Sequence, residues 1–204
     1  MSKIDQQIEL VLASSSPFRQ RLLEQLSVEF RVLNPDIDES PLPDEKPEFL
    51  VRRLSIAKAR AVVSRAPNAL IIGSDQVAVH EGMIVGKPKD HADAVAQLLS
   101  SSGKTITFFT GVALLNSTNA SLQTRVVPYE VRFQTLTRKR IEHYLEREQP
   151  YGCCGSLRAD GLGIALLDRL RGEDPTALIE ISCVQPSIFR AKILARKFIP
   201  LGGI

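Results

Sequence analysis

Residues 8–23 read IELVLASSSPFRQRLL, and the fold turns on how this stretch is divided. Ile8–Ala13 is a short, nearly continuous apolar run, the pattern of a buried strand in an α/β protein. A helix is expected from Pro17 to about Gln25, with Phe18, Leu22 and Leu26 on one face. Ser16 is placed to cap it, because a serine oxygen satisfies the orphan N–H groups there, and proline is pre-organised for the first helical position. Arg19 and Arg21 then fall in the first turn and a half. A helix N-terminus is partially positive, so each cation is misplaced by about 0.3–1 kcal/mol unless an anion is bound. A strand, a serine-rich turn and a helix start form an anion site from backbone N–H groups, and arginine adds bidentate contacts to phosphate. The Walker pattern GxxxxGK[ST] is absent.

Outward from this stretch, Phe30–Leu33 reads as a second strand and NPDIDESPLPDEKPEF as a long Pro- and Asp-rich loop. Glu48–Ser64 is a helix with a stripe at Leu50, Leu54, Ala57 and Ala61, and Lys58 beside it. Ala69–Ser74 is a buried strand ending at Asp75. Val77–Val79 and Met83–Val85 form a small hairpin, and GKPKD leads into a helix at Ala92–Leu99. Thr105–Leu115 and Leu122–Thr135 suggest an antiparallel pair. A charged helix at Thr137–Arg147, a helix at Ala165–Leu170 and a C-terminal helix at Pro186–Lys197 complete the reading. No repeat or linker interrupts it. The expected fold class is α/β, a mixed sheet flanked by helices in a single domain over residues 1–204, with a central cleft between two lobes.

The 204 residues, 44% hydrophobic and 24% charged, have the composition of an ordinary soluble domain. A net charge of +3 is too small for a nucleic-acid face, and 5% aromatic content without Trp leaves little for base stacking. Three cysteines, two of them adjacent, argue against a disulfide framework, and the scattered histidines against structural zinc. The N-terminus has no long apolar run, so no membrane and a cytoplasmic location are expected.

Three groups of residues could carry chemistry. Asp36, Asp38 and Glu39 cluster in the long loop, where acids are more often solvated turn formers. Asp75 follows a buried strand, and strand ends in open α/β sheets are where ligands bind. A carboxylate there can hold a hard divalent metal or act as a base toward water. Lys58 and Lys87 can each neutralise phosphate as a point cation, although a solvated surface lysine is the commoner case for either one. Together, these groups suit a metal–polyphosphate complex, whose phosphoryl oxygens need cation clamps.

The order of the motifs LASSSPFRQRLL, NPDIDESP, Ala57–Lys58–Ala59, IIGSDQV, VGKP and FFTGVALL resembles the Maf family of nucleoside-triphosphate pyrophosphatases along almost the whole chain. The resemblance implies a fold shared with inosine-triphosphate pyrophosphatases. It also implies metal-dependent cleavage (Mg²⁺ or Mn²⁺) of a nucleoside triphosphate to monophosphate and pyrophosphate. By the same resemblance Ser14, Arg19, Lys58 and Lys87 contact phosphate. Asp75 is the proton acceptor, a metal ligand or both, and Glu39 helps hold the metal. Members are often dimers, so a homodimer is implied.

Gln76 after Asp75, and the segment CCGSLRADGLGI, are similar to the branch that hydrolyses 7-methyl-GTP. The specificity positions of that branch fall on Phe18, Gln76 and Asp160. Phe18 stands where tryptophan is usual and Asp160 where glutamate is usual. A cationic methylated base suits an aromatic face and a carboxylate. Gln20 replaces the second arginine of the usual pair, and Glu180–Ile181–Ser182 replaces Gly-Leu-Pro. A non-catalytic nucleotide-binding regulator of cell division is the alternative, and an intact Asp75 favours the enzyme.

Overall fold

A computed structural model describes residues 8–25 and 28–172. Leu26, the altered segment at Glu180, Cys183 and the expected helix at Pro186–Lys197 lie outside the described residues. Among the described residues, seven strands form one sheet in the order β2-β1-β3-β5-β6-β7, with β4 paired to β3. The strands are β1 (Glu9–Ala13), β2 (Arg31–Leu33), β3 (Ala69–His80), β4 (Met83–Val85), β5 (Thr105–Asn116), β6 (Leu122–Phe133) and β7 (Leu167–Arg171). Four α-helices accompany them: α1 (Pro17–Gln25), α2 (Pro47–Ala61), α3 (His91–Ser101) and α4 (Arg138–Glu148). β1 pairs in parallel with β2 and β3, whereas β3–β4 and β6–β7 are antiparallel, so the sheet is mixed.

The chain divides into two compact units. One comprises the residues up to Asp75 together with Gly111–Val126. The other comprises Gln76–Thr110 and the described residues from Val127 onward.

In the first unit β1 runs beside β3 with Glu9 opposite Ala69 and Ala13 opposite Gly73. Its core is built from small and branched residues, among them Val11, Ala59, Val62, Ile71 and Leu115. Small residues matter here because α2 lies directly on strand backbone. A Cβ on Gly73 would stand 2.1 Å from the Ser55 carbonyl oxygen, and one on Gly111 would stand 2.3 Å from that of Val51. Such distances exclude any side chain without backbone movement. The two glycines therefore set how closely α2 approaches β3 and β5.

The second unit has the larger side chains. Leu98, Phe108, Phe133, Ile141 and Leu145 form its centre, with α3 against α4. Both helices are capped by the side chain of the preceding residue. Asp90 accepts from the Asp93 N–H at 2.8 Å, and Thr137 from the Arg140 N–H at 3.3 Å. The hairpin of β3 and β4 is the one expected, with Ala78 opposite Val85, but His80 pairs with Met83 and so lies in the strand rather than the turn.

Three expectations need correction. Residues 165–170 do not form the expected helix: Ala165 and Leu166 end a 3₁₀ turn at Leu162–Leu166, which leads into β7, an edge strand on β6. Of β7 only Leu167 is buried, and sheet pairing rather than local propensity decides its conformation. The helix expected to reach Ser64 ends as an α-helix at Ala61, followed by a 3₁₀ turn at Val63–Arg65. Finally, β3 does not stop at Ser74 but continues to His80, so Asp75 is a mid-strand residue.

Candidate active site

The serine turn after β1 is organised around Ser14. Its buried hydroxyl oxygen accepts from the Ser16 N–H at 3.1 Å and from Arg19 Nη1 at 3.3 Å. Ser16 Oγ accepts from the Arg19 N–H at 3.4 Å, which is the expected N-cap. The two early arginines of α1 then separate. Arg19 is buried, while Arg21 is exposed, donates from Nε to the Pro17 carbonyl, and lies 5.0 Å from the centroid of the half-buried Phe18 ring. At about 100° per residue the two positions lie about 200° apart around the helix, so only one of these cations can face inward.

The central feature of the first unit is an ion cluster. Lys58 Nζ donates to Asp75 Oδ1 at 2.7 Å and stands 3.0 Å from Glu39 Oε1. The Lys58 and Asp75 side chains are only 5% and 8% exposed, whereas that of Glu39 is 51% exposed. Burial is the dominant influence on Asp75 and pushes its carboxyl above the ordinary range. The positive charges of Lys58 and Arg19 oppose that rise, and Glu39 adds to it. A carboxyl so placed takes up a proton more readily than a surface aspartate does.

Two local facts bring these groups together. The buried face of α2 is Leu50, Val51, Leu54, Ser55, Lys58 and Ala59, so Lys58 lies on the buried face itself and not beside it. Ala57 and Ala61, assigned to the stripe from sequence, are half-buried and exposed respectively. The helix rotates this way because the close approach at Gly73 needs Ser55 and Ala59 against the strand. The second fact concerns β1, which ends opposite Gly73. Asp75 lies beyond the last β1 pairing although its own strand continues. The strand end that matters for ligand access is therefore that of β1.

The remaining sequence-derived positions lie elsewhere on the chain. Gln76 opens the second unit, is buried, and donates from Nε2 to Thr110 Oγ1 at 2.9 Å. Its carbonyl accepts from the Cys154 thiol at 3.3 Å, which gives that buried cysteine a packing and hydrogen-bonding role. Lys87 is exposed in its turn. Asp160 is exposed, with Oδ1 3.2 Å from Arg158 Nε, and Arg158 also meets Glu148 at 2.6 Å.

Sequence reading missed one pair. Arg53 makes a bidentate ion pair with Glu45, both contacts at 2.7 Å, and Nη2 also donates to the Ser40 carbonyl at 3.0 Å. In the sequence Arg53 is one of several arginines off the helical stripe, and Glu45 one of several loop acids. Nothing in their spacing signals the pairing.

The model of the Maf-like protein family matches residues 9–182. The chain belongs to the Maf family. The match spans Ser14, Phe18, Arg19, Glu39, Lys58, Asp75, Gln76, Lys87 and Asp160, so every candidate site position falls inside the Maf region. Curated relatives are similar at high identity. A protein of Nitrosococcus oceani is 52% identical over 86% of this chain and 88% of its own length. Proteins of Nitrosospira multiformis and Vibrio parahaemolyticus are 49% and 48% identical, again over 86% of this chain and over 89% and 91% of their lengths. Each of the three is named 7-methyl-GTP pyrophosphatase.

Proposed function

We propose that this Maf protein hydrolyses a nucleoside triphosphate, preferentially 7-methyl-GTP, to the monophosphate and pyrophosphate. The observation that carries the reading is the buried Lys58–Asp75 pair with Glu39 on the same ammonium. Relatives with the name 7-methyl-GTP pyrophosphatase, at about half identity over most of the chain, supply the substrate class.

In this reading Asp75 accepts the proton of the attacking water, a task its upward-shifted carboxyl suits. The water oxygen bonds to the α-phosphorus, the bond from that phosphorus to the bridging oxygen breaks, and pyrophosphate leaves with the electron pair. Lys58 orients the Asp75 carboxylate and neutralises phosphate charge as the substrate enters. Ser14 and Arg19 hold phosphoryl oxygens at the start of α1, and Lys87 is a further phosphate contact by the family pattern. Phe18, Gln76 and Asp160 select the base.

The residues fit a divalent metal of the Mg²⁺ or Mn²⁺ type. Glu39 and Asp75 present hard carboxylate oxygens around one ammonium, and Mg²⁺ is commonly held by one or two carboxylates plus substrate phosphates. Among the described residues no group of three or more His, Cys, Asp or Glu side chains could hold a metal ion. Phosphate oxygens would then complete the coordination. The metal's chemistry would be to polarise the phosphoryl group and neutralise its developing charge. Action as one domain, a homodimeric assembly and a cytoplasmic location belong with this proposal. No helix among the described residues is long and apolar enough to cross a membrane.

The test is turnover of 7-methyl-GTP, GTP, CTP, UTP and dTTP with Mg²⁺ or Mn²⁺, with pyrophosphate and monophosphate quantified beside an Asp75→Asn control. Pyrophosphate release that is fastest with 7-methyl-GTP and lost in the control is the expected result. Equal rates on all bases would remove the specificity, and nucleotide binding without turnover would overturn the enzyme.

A further inference from the structure

We propose that Arg53 and Glu45 are positioning residues for Glu39, clasping the loop over residues 34–46 onto α2 and so fixing where the Glu39 carboxylate meets Lys58 and Asp75. The inference rests on the hydrolytic reading above and deepens it.

The loop has no regular secondary structure, yet it supplies the only half-exposed carboxylate described on the Lys58 ammonium. A segment of that length and irregularity does not hold one side chain in place by itself. Its internal bonds are local. Ser40 N–H donates to Asp38 Oδ1 at 2.9 Å, and Glu45 N–H donates to the Leu42 carbonyl at 3.1 Å. Arg65 reaches the Asn34 carbonyl at the loop's first residue.

The tie next to Glu39 comes from α2. Arg53 Nη2 donates to the carbonyl of Ser40, the residue that follows Glu39. Its Nε and Nη2 both donate to Glu45, whose second oxygen also accepts from the Leu42 N–H at 3.0 Å. One side-chain pair thus holds the backbone at Ser40 and at Leu42. Arg53 projects from α2, the helix that also carries Lys58, and the planar fork of arginine is what permits these simultaneous contacts. The Arg53 contact holds the Glu45 carboxyl down at about 2, against a lesser upward push from burial. The sign follows: the pair's contribution is full above the ordinary Glu value and is lost only as pH falls through about 2, so the clasp stays closed at neutral pH.

The experiment compares wild type, Arg53→Lys and Glu45→Gln, each with and without Glu39→Gln. Mn²⁺ affinity is read by electron paramagnetic resonance in the presence of a non-hydrolysable α,β-imido analogue of 7-methyl-GTP. Amide hydrogen exchange over residues 39–42 is read in the free protein. Loss of an outer contact to a metal ligand typically weakens binding about 10–100-fold, so a loss near the lower figure is expected for Arg53→Lys and Glu45→Gln. Faster exchange at 39–42 should accompany it. In the Glu39→Gln background either substitution should then add almost nothing, because the effect travels through Glu39. Equal losses in both backgrounds, unchanged Mn²⁺ affinity, or unchanged exchange would each overturn the proposal. Failure of the wild type to turn over any triphosphate would instead defeat the hydrolytic reading alone, since neither readout here requires turnover.

Discussion

In the first unit a lysine and an aspartate, both nearly withdrawn from solvent, share a hydrogen bond and a second carboxylate. In the second unit the polar residues of the same family pattern are either exposed, as Lys87 and Asp160 are, or buried with a neutral partner, as Gln76 is with Thr110. The cores differ in the same sense: small residues in the first let α2 close on strand backbone, and large side chains in the second fill a conventional apolar interior. Desolvating two charges is expensive and their mutual attraction seldom does more than offset it. The first unit therefore holds a cluster that packing alone would not favour, which is the expected signature of groups retained for chemistry. At the matching positions of the second unit, Gln76, Lys87 and Asp160, no such buried pair of opposite charges stands.

The sharpest way to break this comparison is Asp75→Asn. It should lower kcat/KM for the triphosphate by about 10²–10⁴-fold, the usual contribution of a positioned acid or base, with the fold retained by circular dichroism. A residual rate within a few-fold of wild type would remove Asp75 from the chemistry. Lys58→Met comes next. It leaves Asp75 buried without its strongest partner, and breaking such a pair costs about 3–5 kcal/mol, readable as a lower urea midpoint at neutral pH. Acidification should restore part of that loss, because protonating Asp75 removes the uncompensated charge.

Gly73→Ala tests the close approach that delivers Lys58. Its new Cβ would meet Ser55 backbone, and overpacking of this kind costs about 1–3 kcal/mol, with turnover reduced as α2 is displaced. The matching change at Gly86 in the second unit, where nothing lies within 4 Å of a built Cβ, should leave thermal stability nearly unchanged.

A smaller, pH-dependent effect follows from the raised Asp75 carboxyl. A group whose folded pKa lies above its unfolded value contributes stability that is full below the unfolded value and lost as pH rises through the folded one. Wild type should therefore lose stability relative to Asp75→Asn on going up from the ordinary value of 3.8, and the acid limb of kcat/KM should lie above 3.8. Parallel urea titrations and a pH–rate profile read both. The least effect on stability is expected of Lys87→Ala, within about 0.5 kcal/mol at an exposed position, while KM for the triphosphate rises. A large stability loss there would mean that Lys87 serves the fold rather than phosphate.

Much of the first unit is legible in the sequence. The Pro17–Gln25 helix, its Ser16 cap and the strand before it follow from local chemistry, which is why the helix bounds coincide with those observed and the strand differs only in starting at Glu9. The helices expected at Ala92–Leu99 and Thr137–Arg147 are also present, with slightly different bounds, while their caps Asp90 and Thr137 emerge only in the structure. Lys58 was harder, because a charged residue reads as polar in any periodic pattern, and only Asp75 on another element makes its burial tolerable. The strand end at Asp75 was misjudged because the change of partner strand leaves no mark on the apolar run from Ala69 onward. β7 leaves the opposite kind of trace: LDRLR shows no strict alternation, only Leu167 is buried, and local propensity says little about an edge.

The sequence by itself determined the element order along β1 and α1, the Maf motif set and the identities of the candidate residues, because those depend on neighbours a few positions away. The tertiary structure alone decided that Arg19 rather than Arg21 is buried, that Lys58 bridges Asp75 and Glu39, and that Arg53 reaches Glu45 and Ser40. The Lys58 and Arg53 contacts join separate segments, and their energy depends on burial and geometry that exist only once α2 has closed on Gly73 and Gly111.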